Sequence, residues 1–352
     1  MELSTLRTTN SPIDRIKVIV ASSFNETQLD RLRSVSPRLH VTLRQKEPWS
    51  WSRSDTSDLF EGDEEIFYGF MPPRDLAKAP RLRWVQLHSA GIDHLKDHPL
   101  MRSNVLMTTT SGIHAVPIGE FAIMMMLTLS RHVPHIVRLQ TQAHWPKREE
   151  RFTGNELRGK NLGVIGYGSI GREAARIAKQ GFNMRILAMT RSGRKEDGGY
   201  VERNVGDPKG ELPDAWYNPQ ELMQMLSQSD YVLTTTPLTD ETRNLIGEKE
   251  LRAMKSSAYI VNVARGEIIN ENALVNALKE RWIAGAGLDV FATEPLPASS
   301  PLWKLDNALI APHVSGASPR YNDRATDLFA ENLKRYLTGE QLLNMVDRST
   351  KY

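Results

Sequence analysis

The sequence predicts an α/β protein made of two doubly wound parallel-sheet domains. Three observations point there. Short β-rich apolar runs alternate with helical stretches through the first third of the chain, the alternation restarts near residue 161, and a glycine turn joins strand to helix at the restart. With 352 residues the chain is long enough for two domains of ordinary size, each with its own core. Its composition, 40% hydrophobic and 25% charged, is that of a soluble globular protein.

The first series opens with "IKVIVASS", apolar enough for a buried strand, and "NETQLDRLRSV", a helix that Asn25 is placed to cap. "LHVTLR" and "EIFYGF" read as the next two strands, and "DLAKAP" as a short helix ended by Pro80. "LRWVQLHSAG" reads as a strand, "IDHLKDHPLMRS" as a helix, and "VLMTTTSG" as the strand that closes the series. Strands joined by helical crossovers pair in parallel. A long helical region follows, "IGEFAIMMMLTLSRH" and then "HIVRLQTQAHW", with a break expected at Pro134.

The second series starts at "NLGVIGYGSIG" and continues through "MRILAMT", "DYVLTTTP", "AYIVNVAR", "AGAGLDVF" and "ALIAPHVS", each a short β-rich run after a helical stretch. "DRATDLFAENLKRYLTG" is an amphipathic helix ending at Gly339, expected to pack back on the first unit. One stretch is irregular. Residues 191–218 have the glycine, proline and charge content of a long loop where a compact unit has a short connection. A solvent-facing excursion is the plain reading, with a lid or partner surface as the alternative.

A formal charge of +3, with acidic residues interspersed among the basic ones, argues against nucleic acid and against a membrane surface as partners. The absence of cysteine excludes disulfides, thiolate zinc sites and a cysteine nucleophile, and fits a reducing compartment. The amino terminus lacks a charged start followed by a long apolar segment, so no secretory signal is expected and the location is read as cytoplasmic. The longest apolar run, "FAIMMMLTLS", is too short to span a bilayer and reads as a buried helix. His132 and His135 in "RHVPH" have no carboxylate placed to complete a metal site, and no metal is expected.

The string G-x-G-x-x-G is weak by itself; with 23 glycines it would arise by chance in about one such chain in ten. Its context is what counts. Gly166, Gly168 and Gly171 follow an apolar strand and open a helix, which suits a tight turn, close approach of a diphosphate, and close strand–helix packing respectively. The amides of Ser169 and Ile170 then lie at the positive end of that helix, ready for phosphate. At the end of the next strand, where NAD-selective sites carry an acid for the ribose 2′-hydroxyl, stands Thr190, followed by Arg191 and Ser192 and then Arg194 and Lys195. No carboxylate is at hand, and Arg191 suits a 2′-phosphate. NADP(H) is therefore favoured, with NAD(H) as the alternative.

Later strand ends each carry a distinctive polar residue: Arg265 after "YIVNVA", Asp289 and Glu294 in "GLDVFATEPLP", and His313 in "LIAPHVS". Ligands of doubly wound sheets lie at the carboxyl ends of strands, so these side chains can converge on one crevice.

With "VQLHSAGIDHL", "ELRGKNLGVIGYGSIGREAARIA", "TTTPLTDETRNLIG", "VNVARGEIINENAL", "GLDVFATEPLP" and "APHVSGAS" in order, the chain resembles the D-isomer-specific 2-hydroxyacid dehydrogenase family over nearly its whole length, nearest to the glyoxylate/hydroxypyruvate reductase branch. The resemblance implies a flavodoxin-like substrate-binding domain over 1–112, completed by the helix in 318–352, and a Rossmann dinucleotide-binding domain over 113–317. It implies that Arg265 binds the carboxylate of a small 2-keto acid, and that Glu294 orients and charges His313. His313 then protonates the keto oxygen as hydride arrives from the nicotinamide, giving a D-2-hydroxy acid. A neighbouring carboxylate favours imidazolium, and a guanidinium matches a carboxylate with two parallel hydrogen bonds. Asp289 corresponds to the residue that holds the nicotinamide carboxamide, and Thr236 and Pro237 line the cofactor cleft. Amides around Ser89, Ala90 and Gly91 meet the substrate carboxylate, with His88 assigned either to selectivity or to packing.

A homodimer is also implied, with the methionine-rich helix over 121–129 partly buried between subunits and Trp145 in the dimer arm. Two departures bear on substrate size: Thr235 replaces the first residue of the family's "HTPLT", and "SGIHAVPIGEF" replaces an asparagine-containing turn. The alternatives are an NAD-linked dehydrogenase of a larger acid such as phosphoglycerate, against which Thr190 argues, and a cofactor-sensing scaffold like the transcriptional corepressors that resemble this family.

Overall fold

The computed structural model describes residues 15–44, 55–191, 193 and 196–348. Ser192, Arg194 and Lys195 lie outside the described residues. The chain divides into two units, one of residues 1–113, 198–200 and 318–352, the other of 114–197 and 201–317.

In the first unit, β1 (Ile16–Ala21) leads into α1 (Glu26–Arg33), then β2 (Leu39–Leu43), β3 (Ile66–Gly69), β4 (Trp84–Leu87) and β5 (Leu106–Thr108). All pairs are parallel, in the order β2-β1-β3-β4-β5, which is the flavodoxin-like order. Alternate residues of β1 serve opposite faces. Val18 and Val20 join a cluster with Phe24, Leu29 and Trp84, while Ile19 joins Phe67, Val85 and Leu95 on the other side.

The expected helix over 92–103 is instead two 3₁₀ turns, Asp93–Leu95 and Pro99–Arg102. Pro99 lacks the N–H that a continuous α-helix would need, and the His98 ring accepts from the Leu100 amide to start the second turn.

The second unit starts with α2 (Ala115–Ser130) and α3 (Val133–Thr141). The break falls at His132, whose backbone is left-handed with φ 52°, and Pro134 sits inside the first turn of α3, where a missing N–H costs nothing. Next come β6 (Asn161–Ile165), α4 (Ser169–Phe182), β7 (Arg185–Met189), β8 (Ala215–Tyr217), α5 (Leu222–Gln228), β9 (Tyr231–Thr234), α6 (Glu248–Ala253), β10 (Tyr259–Asn262), α7 (Glu271–Lys279), β11 (Gly285–Leu288) and β12 (Ala308–Ile310). The parallel sheet runs β12-β11-β10-β9-β6-β7-β8, a Rossmann order extended by one strand.

β8 lies within the stretch read as a loop. Three residues are too few to show a period, and it is the pairing of Leu187 to Ala215 through Met189 to Tyr217 that makes them a strand. The reading of 191–218 as a surface excursion is corrected further: Asp207 is only 6% exposed. Burial of its carboxylate requires partners, and Tyr167, Glu211 and Leu212 supply them.

The last helix, α8 (Tyr321–Thr338), belongs to the first unit and ends on Gly339 with φ 74°. Ala325, Leu328, Phe329 and Leu333 enter the cluster that β1 and α1 line. Each large apolar side chain buried this way contributes about 1.5–3 kcal/mol.

Candidate active site

The strand order of the second unit reverses between β6 and β9, and the glycine turn sits at that switch point. Each glycine has a separate geometric reason. Gly166 has φ 91°, and a Cβ there would come within 2.7 Å of the Thr236 Cα and amide nitrogen. At Gly171 it would lie 2.7 Å from the Gly166 carbonyl oxygen and 2.8 Å from Val164 Cγ1. At Gly168 nothing lies within 4 Å, so the backbone is open to an approaching ligand. No side chain caps α4, and no acidic residue stands in its first turn. An uncapped 14-residue helix behind an open glycine fits the diphosphate of a dinucleotide.

The β9 end closes the turn from the other side: the Thr235 hydroxyl donates to the Gly166 carbonyl at 2.6 Å. At the end of β7, the Thr190 hydroxyl donates to the Gly193 carbonyl, and Arg191 is exposed.

At the β10 end, Asn262 is a residue that sequence reasoning missed. It is 1% exposed, accepts from the Thr234 hydroxyl at 2.7 Å and the Ala264 amide at 3.1 Å, and donates to the Arg265 carbonyl at 2.9 Å. The available signal was a polar residue closing an otherwise apolar strand, three positions before Arg265. Gly266 lets the next loop come close, since a Cβ there would lie 1.9 Å from the Phe291 carbonyl carbon. Arg265 and the Glu294 loop are thereby locked to each other through backbone.

Glu294 Oε1 accepts from the Phe291 amide at 3.0 Å, and its Oε2 lies 2.8 Å from His313 Nδ1. An ionised carboxylate only accepts, so Nδ1 carries the hydrogen in this pair and Nε2 is the ring nitrogen left for chemistry. The His313 side chain is half exposed. Its backbone is left-handed, φ 53°, an unusual state for a residue with a Cβ.

Asp289 explains how that state is held. This residue is fully buried; its carbonyl accepts from the His313 amide at 2.9 Å, and its carboxylate accepts from Val314 N at 2.8 Å and Ser315 N at 3.0 Å. Glu294, His313 and Asp289 are thus brought together by the ends of β11 and β12.

In the first unit, Ser89, Ala90 and Gly91 are half-buried. The Ser89 hydroxyl donates to the Gly91 carbonyl at 2.9 Å, and the Ser89 carbonyl accepts from the Thr110 amide at 3.0 Å. His88 is 1% exposed, with Nδ1 at 2.6 Å from the Tyr68 hydroxyl, so its ring belongs to the core. Its carbonyl accepts from the Tyr321 hydroxyl, whose pKa burial pushes up to about 12, keeping it a donor. His132 and His135 meet the Phe152 ring edge-on at 5.5 and 4.7 Å.

A nucleotide turn at the switch point and an imidazole–carboxylate pair at neighbouring strand ends are the working parts of an NAD(P)-dependent dehydrogenase. The family model for the D-isomer specific 2-hydroxyacid dehydrogenase NAD binding domain matches residues 123–315. The chain is 38% identical over 272 residues to a glyoxylate reductase of Korarchaeum cryptofilum, covering 77% of each chain, and 35% identical to that of Thermofilum pendens, covering 95% of each. Among solved structures, a D-isomer specific 2-hydroxyacid dehydrogenase family protein from Aeromonas salmonicida superposes with a TM-score of 0.75 at 30% identity, over 95% of this chain and 99% of that one. The enzyme of the same family from Xanthobacter autotrophicus, determined with NADPH and MES, gives 0.75 at 26%, over 95% of this chain and 100% of that one. The chain belongs to the D-isomer specific 2-hydroxyacid dehydrogenase family, in its glyoxylate reductase branch.

Proposed function

We propose that this enzyme reduces a small 2-keto acid of glyoxylate or hydroxypyruvate size, with NADPH as preferred reductant and a D-2-hydroxy acid as product. The observation that carries this reading is the 2.8 Å contact of His313 Nδ1 with Glu294, which leaves Nε2 on a half-exposed ring. A reduced nicotinamide, when bound, supplies the hydride. Everything else falls to the chain.

His313 Nε2 donates the proton to the keto oxygen, and in the reverse direction the neutral ring takes it back. Glu294 fixes the ring's tautomer and orientation. The Arg265 guanidinium takes the substrate carboxylate in a two-point hydrogen bond and polarises the keto oxygen. The half-buried turn of Ser89, Ala90 and Gly91 is assigned to the same carboxylate, a reading supported by its place just past the carboxyl end of β4. Gly166, Gly168, Ser169, Ile170 and Gly171 hold the diphosphate, and Thr236 and Pro237 flank it. Thr190 and Arg191, with Ser192, take the adenosine ribose and its 2′-phosphate; the reading is supported by the lack of a carboxylate at the β7 end and by an exposed guanidinium in its place. Asp289 holds the His313 turn and is assigned to the carboxamide side of the cofactor.

A homodimer is part of the proposal. Met124, Val133, Ile136, Val137 and Phe152 are exposed, and Trp145 is 84% exposed, which makes an apolar surface along α2, α3 and the stretch that follows. A second copy of the same surface would cover it, and light scattering at twice the chain mass is the expected result.

Absorbance at 340 nm with a panel of 2-keto acids tests the reaction. Glyoxylate or hydroxypyruvate should be consumed faster than larger acids, and NADPH used in preference to NADH. Tight NADPH binding with no keto acid reduced would overturn the reading in favour of a cofactor-sensing scaffold.

A further inference from the structure

The segment between β7 and β8 is longer than a nucleotide-binding unit needs, and its middle is turned inward. Asp207 Oδ2 accepts from the Tyr167 hydroxyl at 2.9 Å and the Leu212 amide at 3.0 Å, while Oδ1 accepts from the Glu211 amide at 2.9 Å. The Asp207 carbonyl accepts from Arg172, whose guanidinium lies 4.9 Å over the Tyr167 ring. Beside it, the Gly206 amide donates to Glu173 at 2.6 Å. One side of α4 therefore faces the segment: Arg172 and Glu173, then Lys179 two turns on, which reaches the Leu212 carbonyl and Asp214 at 2.8 Å each.

Tyr167 is the residue between Gly166 and Gly168. It is 3% exposed, and its ring meets Trp216 of β8 edge-on at 5.2 Å. Burial, then the nearby Asp207 charge, pushes the phenol well above its ordinary pKa, so it stays a hydrogen-bond donor across the working pH range. Two glycines give a turn more freedom than any other pair of residues. A side chain anchored between them at both ring and hydroxyl removes that freedom before a ligand arrives, and pre-ordering of this kind raises affinity without adding a contact.

We propose that residues 205–212 act as a clamp on the glycine turn, in which Asp207 and Tyr167 are positioning residues that hold the turn in its dinucleotide-binding form. This rests on the assignment of that turn to the cofactor diphosphate. It gives the irregular segment a purpose distinct from a lid: its contacts are with Tyr167 and with α4.

The test is fluorescence titration of NADPH against the full-length protein and its Tyr167→Phe and Asp207→Asn variants, together with steady-state kinetics. Tyr167→Phe removes one hydroxyl and keeps the ring, so folding is retained. Its Kd for NADPH should rise about fivefold, while kcat at saturating NADPH does not fall in step and the KM for keto acid holds. Asp207→Asn puts an amide donor where three donors point, and should weaken NADPH at least as much. The double variant should lose no more than Asp207→Asn alone, since both changes break one device. Equal NADPH affinity in the wild type and both variants overturns the clamp alone. A wild-type protein that binds neither NADPH nor NADH overturns the assignment of the turn, and the clamp with it.

Discussion

The two units carry the same local feature, a first strand turning into the helix that follows it, and finish it in opposite ways. After β1 the helix α1 is closed on itself: the Asn25 side chain accepts from the Gln28 amide at 3.0 Å, Gln28 Oε1 accepts from the Asn25 amide at 3.0 Å, and Glu26 stands in the first turn. After β6 the helix α4 has Gly168 as its N-cap, with no capping side chain and no acid in its first turn. A helix start leaves amide donors and a partial positive charge in search of a partner. The first unit satisfies them internally; at the start of α4 no side chain does so, which is what its assignment to the cofactor diphosphate requires. Two turns of equal topology therefore differ in what they leave open, through a cap that one of them lacks.

The widest effect separates binding from chemistry within the second unit. His313→Ala should lower kcat by about 10²- to 10⁴-fold, the usual range for loss of a positioned general acid, while the Kd for NADPH changes less than about twofold. Single-turnover kinetics and a binding titration read the two quantities separately. Unchanged turnover would remove His313 from the proton transfer.

Gly168→Asp turns the open helix start into a copy of the closed one. The backbone at Gly168 is extended, φ −87° and ψ −166°, and a Cβ there meets nothing within 4 Å, so aspartate enters without strain. Its carboxylate caps α4 and puts a negative charge where the diphosphate is assigned. Two signs are expected: thermal stability should rise, by about 0.5–1 kcal/mol, and NADPH affinity should fall by about 100-fold or more. Retained affinity would show that the phosphates sit elsewhere.

The same contrast explains what could be read from sequence. Asn25 as a cap is local chemistry, with donor and acceptor within a few residues, and the three glycines follow directly on the strand that precedes them, so the string displays both. The strand-end histidine and glutamate were legible because a doubly wound sheet sends its ligands to one edge. What stayed hidden depends on partners far along the chain. β8 exists through its pairing with β7, Asp207 is buried because Tyr167 lies 40 positions earlier, and Asp289 anchors the backbone amides at 314 and 315. The 3₁₀ turns over 93–102 fall between these cases. Pro99 is visible in the sequence, but proline is also compatible with the first turn of a helix, so the string alone does not separate one α-helix from two 3₁₀ turns.

Arg191→Ala tests the far end of the second unit's nucleotide assignment. Loss of a charge-assisted contact to a 2′-phosphate should raise the KM for NADPH about tenfold and leave that for NADH within about twofold. Equal changes for both cofactors would mean that this guanidinium serves only solvent.

The smallest effect comes from opening the closed turn. Asn25→Ala removes the side-chain acceptor for the Gln28 amide, while the backbone amide at position 25 still donates to Gln28 Oε1, so one half of the reciprocal cap is lost. The expected cost is about 1 kcal/mol of stability in the first unit, or a melting temperature lower by about 2–4 °C, with NADPH affinity unchanged. Calorimetry beside a cofactor titration reads both. An uncapped α1 does not become a phosphate site, because Glu26 keeps a negative charge at its first turn and no glycine opens the backbone in front of it. A gain of NADPH or inorganic phosphate binding by this variant would mean that an uncapped helix start suffices, and that the glycines at 166 and 168 are not what sets the second unit apart.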